Sequence, residues 1–171
     1  PALKSPSTMP TEITLTDVTT SSTLPPKSSH SSRHLLTSSL ETAWYSKNLP
    51  EPSPTSPTPK HVITLTWSGS KTLVALGLMF QGGFVGKGGK LSYLNSSAPL
   101  STVDPPLDIY SEYDGDYEPI DTWGEFEDTN DMQIRGVEEG GGEGEGIRIE
   151  LDEGTDFYKR VIIYRVVCWE K

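Results

Sequence analysis

The chain has 171 residues, a formal net charge of −10 and an apolar fraction of 33%, which is low beside the ~45–50% usual for globular domains when glycine is counted. Eighteen acidic residues against two basic ones lie between Asp104 and Glu153, which argues against direct binding to nucleic acid, because that needs cations against phosphate. The single cysteine, Cys168, excludes an intrachain disulfide and a cysteine-based zinc site. No apolar run approaches the ~18 residues of a membrane span, so no membrane association is expected.

The apolar residues are clustered along the chain, and their spacing predicts an all-β sandwich. Residues 1–11 are polar and contain prolines, which is typical of a flexible tail. Residues 12–171 are predicted to form one domain, with a proline-rich loop at 50–59 and an acidic Gly/Glu insertion at 138–146. No segment convincingly predicts a helix. Seven strands are predicted from period-two or continuous apolar runs: 12–18, 61–67, 72–80, 90–94, 131–137, 147–151 and 161–169.

The most apolar stretch in the middle of the chain is Leu73–Phe80, LVALGLMF. Because both of its faces are apolar, we predict a central strand that is covered on both sides. Val161–Trp169, VIIYRVVCW, has the same pattern and predicts a second central strand. The strand His61–Trp67 is joined to the first of these by a short connection, so we expect the two to be antiparallel neighbours.

Two tryptophans are predicted core residues. Thr42, Trp44 and Ser46 alternate in an extended segment, which suits burial of the indole and leaves the hydroxyl groups to satisfy backbone polar groups. Trp67 ends a strand in which every second residue is apolar.

Motifs for catalysis are absent from the sequence. It contains neither GxSxG nor the phosphate-binding GxxxxGK[ST]. Its carboxylates lie mostly in predicted loops, whereas glycoside hydrolysis needs a pair on rigid elements. The histidines His30, His34 and His61 are scattered. We therefore predict no enzymatic activity, no cofactor and no metal site, and a hydrolase is the weakest alternative.

Two loops next to the central strands carry the candidate site residues. The first is Gln81, Gly82, Gly83 and Phe84, in which two glycines permit positive φ and close approach of a partner. The second is Thr155, Asp156, Phe157 and Tyr158. Exposed aromatic side chains beside polar groups are typical of binding hot spots, so both loops are predicted to bind a partner. An alternative stays open, in which the aspartate caps an Asx-turn and the rings close the core.

Three blocks of the sequence resemble the nuclear-receptor-associated protein family, which includes a repressor associated with the testicular orphan nuclear receptor. The blocks are ETAWYS at 41–46, LMFQGGF at 78–84 and GTDFYKRVIIY at 154–164. The resemblance spans roughly residues 20–171. It implies the discoidin, or galactose-binding-like, fold, which is a jelly-roll β-sandwich of about eight strands.

The resemblance also has implications for location and for metal binding. It implies a nuclear, or nuclear and cytoplasmic, location. Discoidin domains often hold calcium near an Asp-rich turn that precedes a Thr-x-Trp sequence. The corresponding turn here, Thr37–Leu40, contains no aspartate, and no calcium site is predicted.

These observations lead to one main functional prediction and one alternative. The main prediction is a non-enzymatic protein–protein interaction module that binds protein partners as a nuclear subunit or adaptor in a transcription-regulatory or RNA-processing assembly. The alternative is a carbohydrate-binding module that uses the same end loops and a glycan partner. Sugars are bound by an aromatic platform with convergent polar groups, which Phe84, Phe157 and Tyr158 would provide together with Gln81 and Asp156.

Overall fold

The computed structural model describes residues 10–37, 39–55, 57–94, 102–103, 126–137 and 142–170. These ranges contain one short α-helix, α1 (Lys27–His30), and a 3-10 helix at Ser32–Leu36, neither of which was predicted. Neither helix is long and apolar enough to cross a membrane. The strands are β1 (Thr11–Glu12), β2 (Leu15–Thr20), β3 (Trp44–Tyr45), β4 (His61–Lys71), β5 (Leu73–Phe80), β6 (Gly89–Tyr93), β7 (Thr102–Val103), β8 (Met132–Val137), β9 (Gly144–Leu151) and β10 (Ile162–Glu170).

The described strands form two antiparallel sheets with a shared apolar core, so the predicted all-β sandwich is confirmed. The first sheet has the order β1-β10-β5-β8-β7, with β3 also paired to β10. The second has the order β2-β4-β9-β6. Side chains from both sheets, among them Ile63, Leu78, Ile149 and Val166, pack in one buried cluster.

The two doubly apolar runs are central strands, as predicted. β5 lies between β10 and β8. Leu76, Leu78 and Phe80 are part of the core between the sheets. Ala75 belongs to a second buried cluster, which includes Trp169 of β10. Each of these strands therefore buries side chains in both clusters, which explains why neither alternates between apolar and polar residues.

The predicted antiparallel pairing of β4 with β5 is wrong. β4 pairs with β2 and β9 in the second sheet, whereas β5 lies in the first. The register of β4 against β9 shifts between Thr66 and Lys71, and Gly69 between them has φ +78°. Bulged or bent strands are how chains turn corners between packed sheets. The short connection therefore joins two sheets and not two neighbours in one sheet.

The predicted strand at 12–18 is divided between the two sheets. Thr11 and Glu12 pair with the end of β10, whereas Leu15–Thr20 pairs with β4. Thr11 lies in a strand, although it was predicted as the end of a flexible tail, and residues 1–9 of that tail lie outside the described residues. Of the predicted insertion at 138–146, residues 138–141 also lie outside them, and its last three residues belong to β9.

Both predicted core tryptophans are buried and hydrogen-bonded. Trp44 is 0% exposed, and its indole N–H donates to the Ser22 carbonyl at 2.9 Å. Trp67 is 4% exposed, and its indole N–H donates to the Gly144 carbonyl at 2.9 Å. The Ser46 hydroxyl accepts a hydrogen bond from a backbone N–H at 2.9 Å, as the alternation predicted. The same prediction is wrong for Thr42, because its buried hydroxyl oxygen has no hydrogen-bond partner among the described residues.

The pairing registers place the candidate loops at one end of the sandwich, and the first and last residues of the described strands at the other end. At one end, Ile163 pairs with Phe80, directly before the loop that follows β5. At the other end, Glu170 pairs with both Leu73 and Thr11. The loops predicted as the site therefore lie at the opposite end of β10 from Thr11 and Glu170.

Candidate functional site

The two predicted loops lie side by side at one end of the sandwich. The Thr155 N–H donates to the Val85 carbonyl at 2.9 Å, and the Val85 N–H donates to the Thr155 hydroxyl at 3.2 Å. Gly86 and Gly154 form an isolated antiparallel bridge one residue further along. The loops are therefore a single structural unit, and a shift in one displaces the other.

A tight turn places two aromatic side chains in solvent. The Lys159 N–H donates to the Asp156 carbonyl at 3.0 Å, which makes Phe157 and Tyr158 the central residues of a β-turn. Phe157 is 90% exposed and Tyr158 is 53% exposed. Their ring centroids lie 5.2 Å apart in an edge-to-face arrangement. The alternative in which these two rings close the core is therefore wrong.

The carboxylate of Asp156 holds this turn closed. One oxygen accepts the Arg160 backbone N–H and the other accepts the Arg160 Nε–H, both at 2.9 Å. The Asp156 side chain is only 10% exposed. These bonds go to the residue four positions along the chain and not two, so they differ from the Asx-turn weighed for Asp156, and the carboxylate positions an arginine.

Arg160 joins the two loops and was not singled out in the sequence. Its guanidinium carbon lies 5.3 Å from the ring centroid of Phe84, which is half-buried, and 5.3 Å from that of Tyr158. Such distances are typical of cation–π contacts. We call Phe84, Asp156, Phe157, Tyr158 and Arg160 the aromatic–arginine cluster. Its only sequence signal was the spacing of Asp156 and Arg160, four residues apart.

The other predicted residues of the first loop hold its shape. The Gly82 N–H donates to Asn130 Oδ1 and the Gly83 N–H donates to Asp128 Oδ1, both at 2.6 Å. Gly83 has φ +86°, which favours glycine. The Gln81 side-chain oxygen accepts a hydrogen bond at 3.2 Å from the hydroxyl of Tyr164. The described structure thus already engages these polar groups within the chain.

A cleft of about 390 Å³ lies beside the cluster and has the predicted proline-rich loop as one wall. Pro50, Pro52, Pro57 and Pro59 contribute to this wall. The lining also includes charged residues, which are Lys60, Lys87, Asp152, Glu153 and Lys159.

The charged side of the cleft is a network of ion pairs. Lys60 pairs with Asp152. Glu153 pairs with two lysines, at 3.1 Å to Lys87 Nζ and 3.4 Å to Lys159 Nζ. Hydrogen bonds from Lys87 and then Lys159 lower the pKa of the Glu153 carboxyl group. Glu153 therefore stays ionised between two cations.

A buried histidine contacts the backbone of the second loop. His61 is 1% exposed, and its Nε2 lies 2.7 Å from the Lys159 carbonyl oxygen. Lys159 has φ +61°, a conformation that is uncommon for residues other than glycine. Burial lowers the pKa of His61, while the hydrogen bond to Lys159 and the charge of Asp156 raise it by less. The neutral ring therefore donates through Nε2 and holds the left-handed residue in place.

This histidine makes the stability of the domain depend on pH. The pKa of His61 in the folded protein lies below its unfolded value of about 6.5, so its stabilising contribution is complete above that pH and is lost as the pH falls. We expect the free energy of unfolding, measured with urea from pH 7.5 to 5, to decrease below pH ~6.5. His61→Gln keeps a donor but cannot titrate, so its stability is expected to change less over the same range. Identical pH profiles would contradict this assignment.

The described residues contain no group of three His, Cys, Asp or Glu side chains that could hold a metal ion. At the turn where discoidin domains often hold calcium, the Ser39 hydroxyl accepts the Glu41 backbone N–H at 3.2 Å. Neither that local contact nor the sequence Thr37–Leu40 provides carboxylate ligands. The described residues of the turn do not fit a calcium site.

Comparison with known proteins gives matches to solved structures alone. No protein-family model matches the chain, and no curated protein matches it. Three similar structures are a family 32 carbohydrate-binding module from Clostridium perfringens in complex with galactose, the corresponding module of the alginate lyase AlyQ with 4,5-unsaturated mannuronic acid, and a chitosan-binding module from Paenibacillus.

These three structures match almost the whole chain at low sequence identity. The galactose complex is 14% identical with a TM-score of 0.56 and covers 95% of this chain and 100% of its own. The AlyQ module is 13% identical with a TM-score of 0.58 and covers 92% and 97%. The chitosan-binding module is 11% identical with a TM-score of 0.58 and covers 91% and 95%.

These neighbours overturn the main functional prediction. They are carbohydrate-binding modules, which contradicts the predicted protein–protein interaction role in a nuclear assembly and the predicted protein partners, and which agrees better with the alternative. The resemblance to the nuclear-receptor-associated family is not confirmed by any of them, and the predicted nuclear location stays untested. The order of the strands and these matches agree on the architecture: the chain has the discoidin-like, galactose-binding-like β-sandwich fold.

Proposed function

We propose that the chain is a non-enzymatic carbohydrate-binding module and that the aromatic–arginine cluster is its sugar-binding platform. The observation that carries this proposal is the 90% exposure of Phe157 beside Tyr158. Keeping a large apolar ring in water is unfavourable, and here a clamped turn holds two such rings outward. The C–H faces of a sugar ring can pack against exposed aromatic faces while its hydroxyl groups stay available for hydrogen bonds.

Arg160 supplies the polar groups that such a platform needs. Its planar guanidinium carries five N–H donors in a fixed fork, and Asp156 engages the Nε–H. The remaining donors lie between the rings of Phe84 and Tyr158. Because the salt bridge fixes the arginine before binding, little side-chain entropy is lost when a ligand arrives. The site is therefore preorganised.

The location of the cluster supports the same proposal. It lies in loops at one end of the sandwich, and loops held by a rigid scaffold are common binding positions. Two of the three blocks that resemble the nuclear-receptor-associated family, 78–84 and 154–164, contribute to the cluster. We propose that the resemblance reflects the shared sandwich and its loops. The absence of activity stays part of the proposal, and unchanged oligosaccharides after incubation with the protein would support it.

The test is substitution of the exposed ring. We expect Phe157→Ala to weaken oligosaccharide binding by at least ~30-fold, because hot-spot aromatics contribute ~2 kcal/mol or more. Binding would be measured by titration calorimetry against the oligosaccharides that wild-type protein selects from a glycan array. Leu40→Ala, which removes another exposed apolar side chain outside the cluster, is the control and should bind as wild type. A wild-type protein that binds no glycan, or equal affinity after Phe157→Ala, would refute the proposal.

A further inference from the structure

We infer that the proline-walled cleft binds a negatively charged unit of the glycan through Lys87 and Lys159. This inference rests on the proposed function and specifies its ligand. The acidic group would be a carboxylate or a sulfate ester, since both offer several anionic oxygens to ammonium groups.

The first observation is the charge balance within the cleft. Lys87 and Lys159 share one carboxylate, that of Glu153, with one lysine on each of its oxygens. The third lysine, Lys60, is paired with Asp152. The triad of Lys87, Glu153 and Lys159 therefore carries one surplus positive charge, in a chain whose net charge is −10. The cleft favours an anion although the protein as a whole repels one.

The second observation is that the two ammonium groups have donors to spare. Each ammonium group has three N–H donors, and the contact with Glu153 uses one of them. The side chains of Lys87 and Lys159 are 43% and 40% exposed. They can therefore donate to a ligand in the cleft without breaking their ion pairs with Glu153.

The third observation is the wall formed by Pro50, Pro52, Pro57 and Pro59. Proline has no backbone N–H and a fixed φ, so this wall provides apolar surface and few competing donors. A volume of about 390 Å³ lies within the range of small-molecule sites. A sugar unit could place its ring against the prolines and its acidic group against the lysines.

The cleft and the aromatic–arginine cluster are neighbours. The Lys87 N–H donates to the Glu153 carbonyl at 3.2 Å, two residues along from the contact between Val85 and Thr155. At ~3.3 Å per residue, this separates the two contacts by about 7 Å. Lys159 lies directly between Tyr158 and Arg160 in the chain. One oligosaccharide can therefore occupy the platform and the cleft together.

The experiment compares three oligosaccharides of equal length, one neutral, one containing uronate and one sulfated, with the full chain at low salt. We expect at least one acidic ligand to bind ~10-fold tighter than the neutral one, with the difference shrinking as salt rises. Lys87→Gln should remove this preference, and Glu153→Gln should increase it. The control is Lys90→Gln, because Lys90 is a 60% exposed lysine that pairs with Glu150 and does not line the cleft. The uronate and sulfated arms identify which acidic group is bound.

The outcomes separate this inference from the function on which it rests. If Phe157→Ala abolishes binding but neutral and acidic ligands bind equally to wild type, the platform exists and the acidic subsite does not. If Lys90→Gln lowers affinity for acidic ligands as much as Lys87→Gln, general charge and not the cleft is responsible, and the inference is overturned. If no oligosaccharide binds, the proposed function itself fails.

Discussion

Gly154→Ala is expected to abolish ligand binding at the loop end and to destabilise the domain by about 3 kcal/mol, a size typical of severe steric conflicts. A Cβ atom at this position would overlap the Arg160 carbonyl oxygen and lie 2.6 Å from its carbonyl carbon. These are backbone atoms, so they cannot rotate away as a side chain would. Any relief must displace Arg160 and with it the contacts to Phe84 and Tyr158.

The matched control is Gly86→Ala, because Gly86 is the partner of Gly154 in the same bridge. There a Cβ atom would meet only side-chain atoms of Leu151 and Phe80 at 3.5–3.6 Å, which is ordinary contact. We expect its free energy of unfolding in urea to stay within ~1 kcal/mol of wild type and its ligand affinity to be unchanged. Equal losses in both variants would show that the bridge, and not the conflict at Arg160, determines the result.

Trp44→Ala is expected to lower the free energy of unfolding by about 4 kcal/mol, within the range for loss of a buried aromatic. The ring is 0% exposed, and its removal leaves both a cavity and the Ser22 carbonyl without its indole donor. Domains of this size have total stabilities of ~5–15 kcal/mol, so a large part would be lost. The measurement is urea denaturation followed by fluorescence of the remaining tryptophans and by circular dichroism.

Trp44→Phe separates packing from hydrogen bonding at the same position. It restores most of the ring volume but not the N–H, and the Ser22 carbonyl keeps its hydrogen bond from the Thr20 hydroxyl at 3.2 Å, so we expect a loss of about 1 kcal/mol, the net contribution of one hydrogen bond. Neither variant touches the aromatic–arginine cluster directly, so the protein that stays folded should bind ligand as wild type does. A loss below ~1 kcal/mol for Trp44→Ala would contradict the packing described for this ring.

Strand positions were predictable because burial on one face gives alternating apolar residues and burial on both faces gives a continuous apolar run. The doubly apolar runs at Leu73–Phe80 and Val161–Trp169 fall on central strands. The pairing of β4 with β5 was not predictable, because the corner depends on a bulge and on positive φ at Gly69. Neither feature alters the apolar pattern, and a short connection between strands usually indicates a hairpin.

The site was only partly predictable, because contacts between residues far apart in the chain leave no pattern in the sequence. Loops bearing Phe84, Phe157 and Tyr158 stood out by composition, whereas His61 and Arg160 owe their roles to tertiary contacts. His61 meets the carbonyl of Lys159, 98 positions away in the chain. Aromatic and polar loops also suit protein and sugar ligands alike. Composition therefore did not separate the two kinds of ligand, and the resemblance to the nuclear-receptor-associated family led to the prediction of a protein partner.

The pairing of Thr11 with Glu170 has a practical consequence for how the domain can be attached to a solid support or to another protein. Thr11 and Glu170 are paired with each other, and β10 runs its full nine residues between that pair and the loop end. At ~3.3 Å per residue, this is about 30 Å. A surface linker attached at the position of Thr11 or of Glu170 would therefore lie one strand length away from the rings of Phe157 and Tyr158. Protein immobilised through either of these positions should capture ligand equally well.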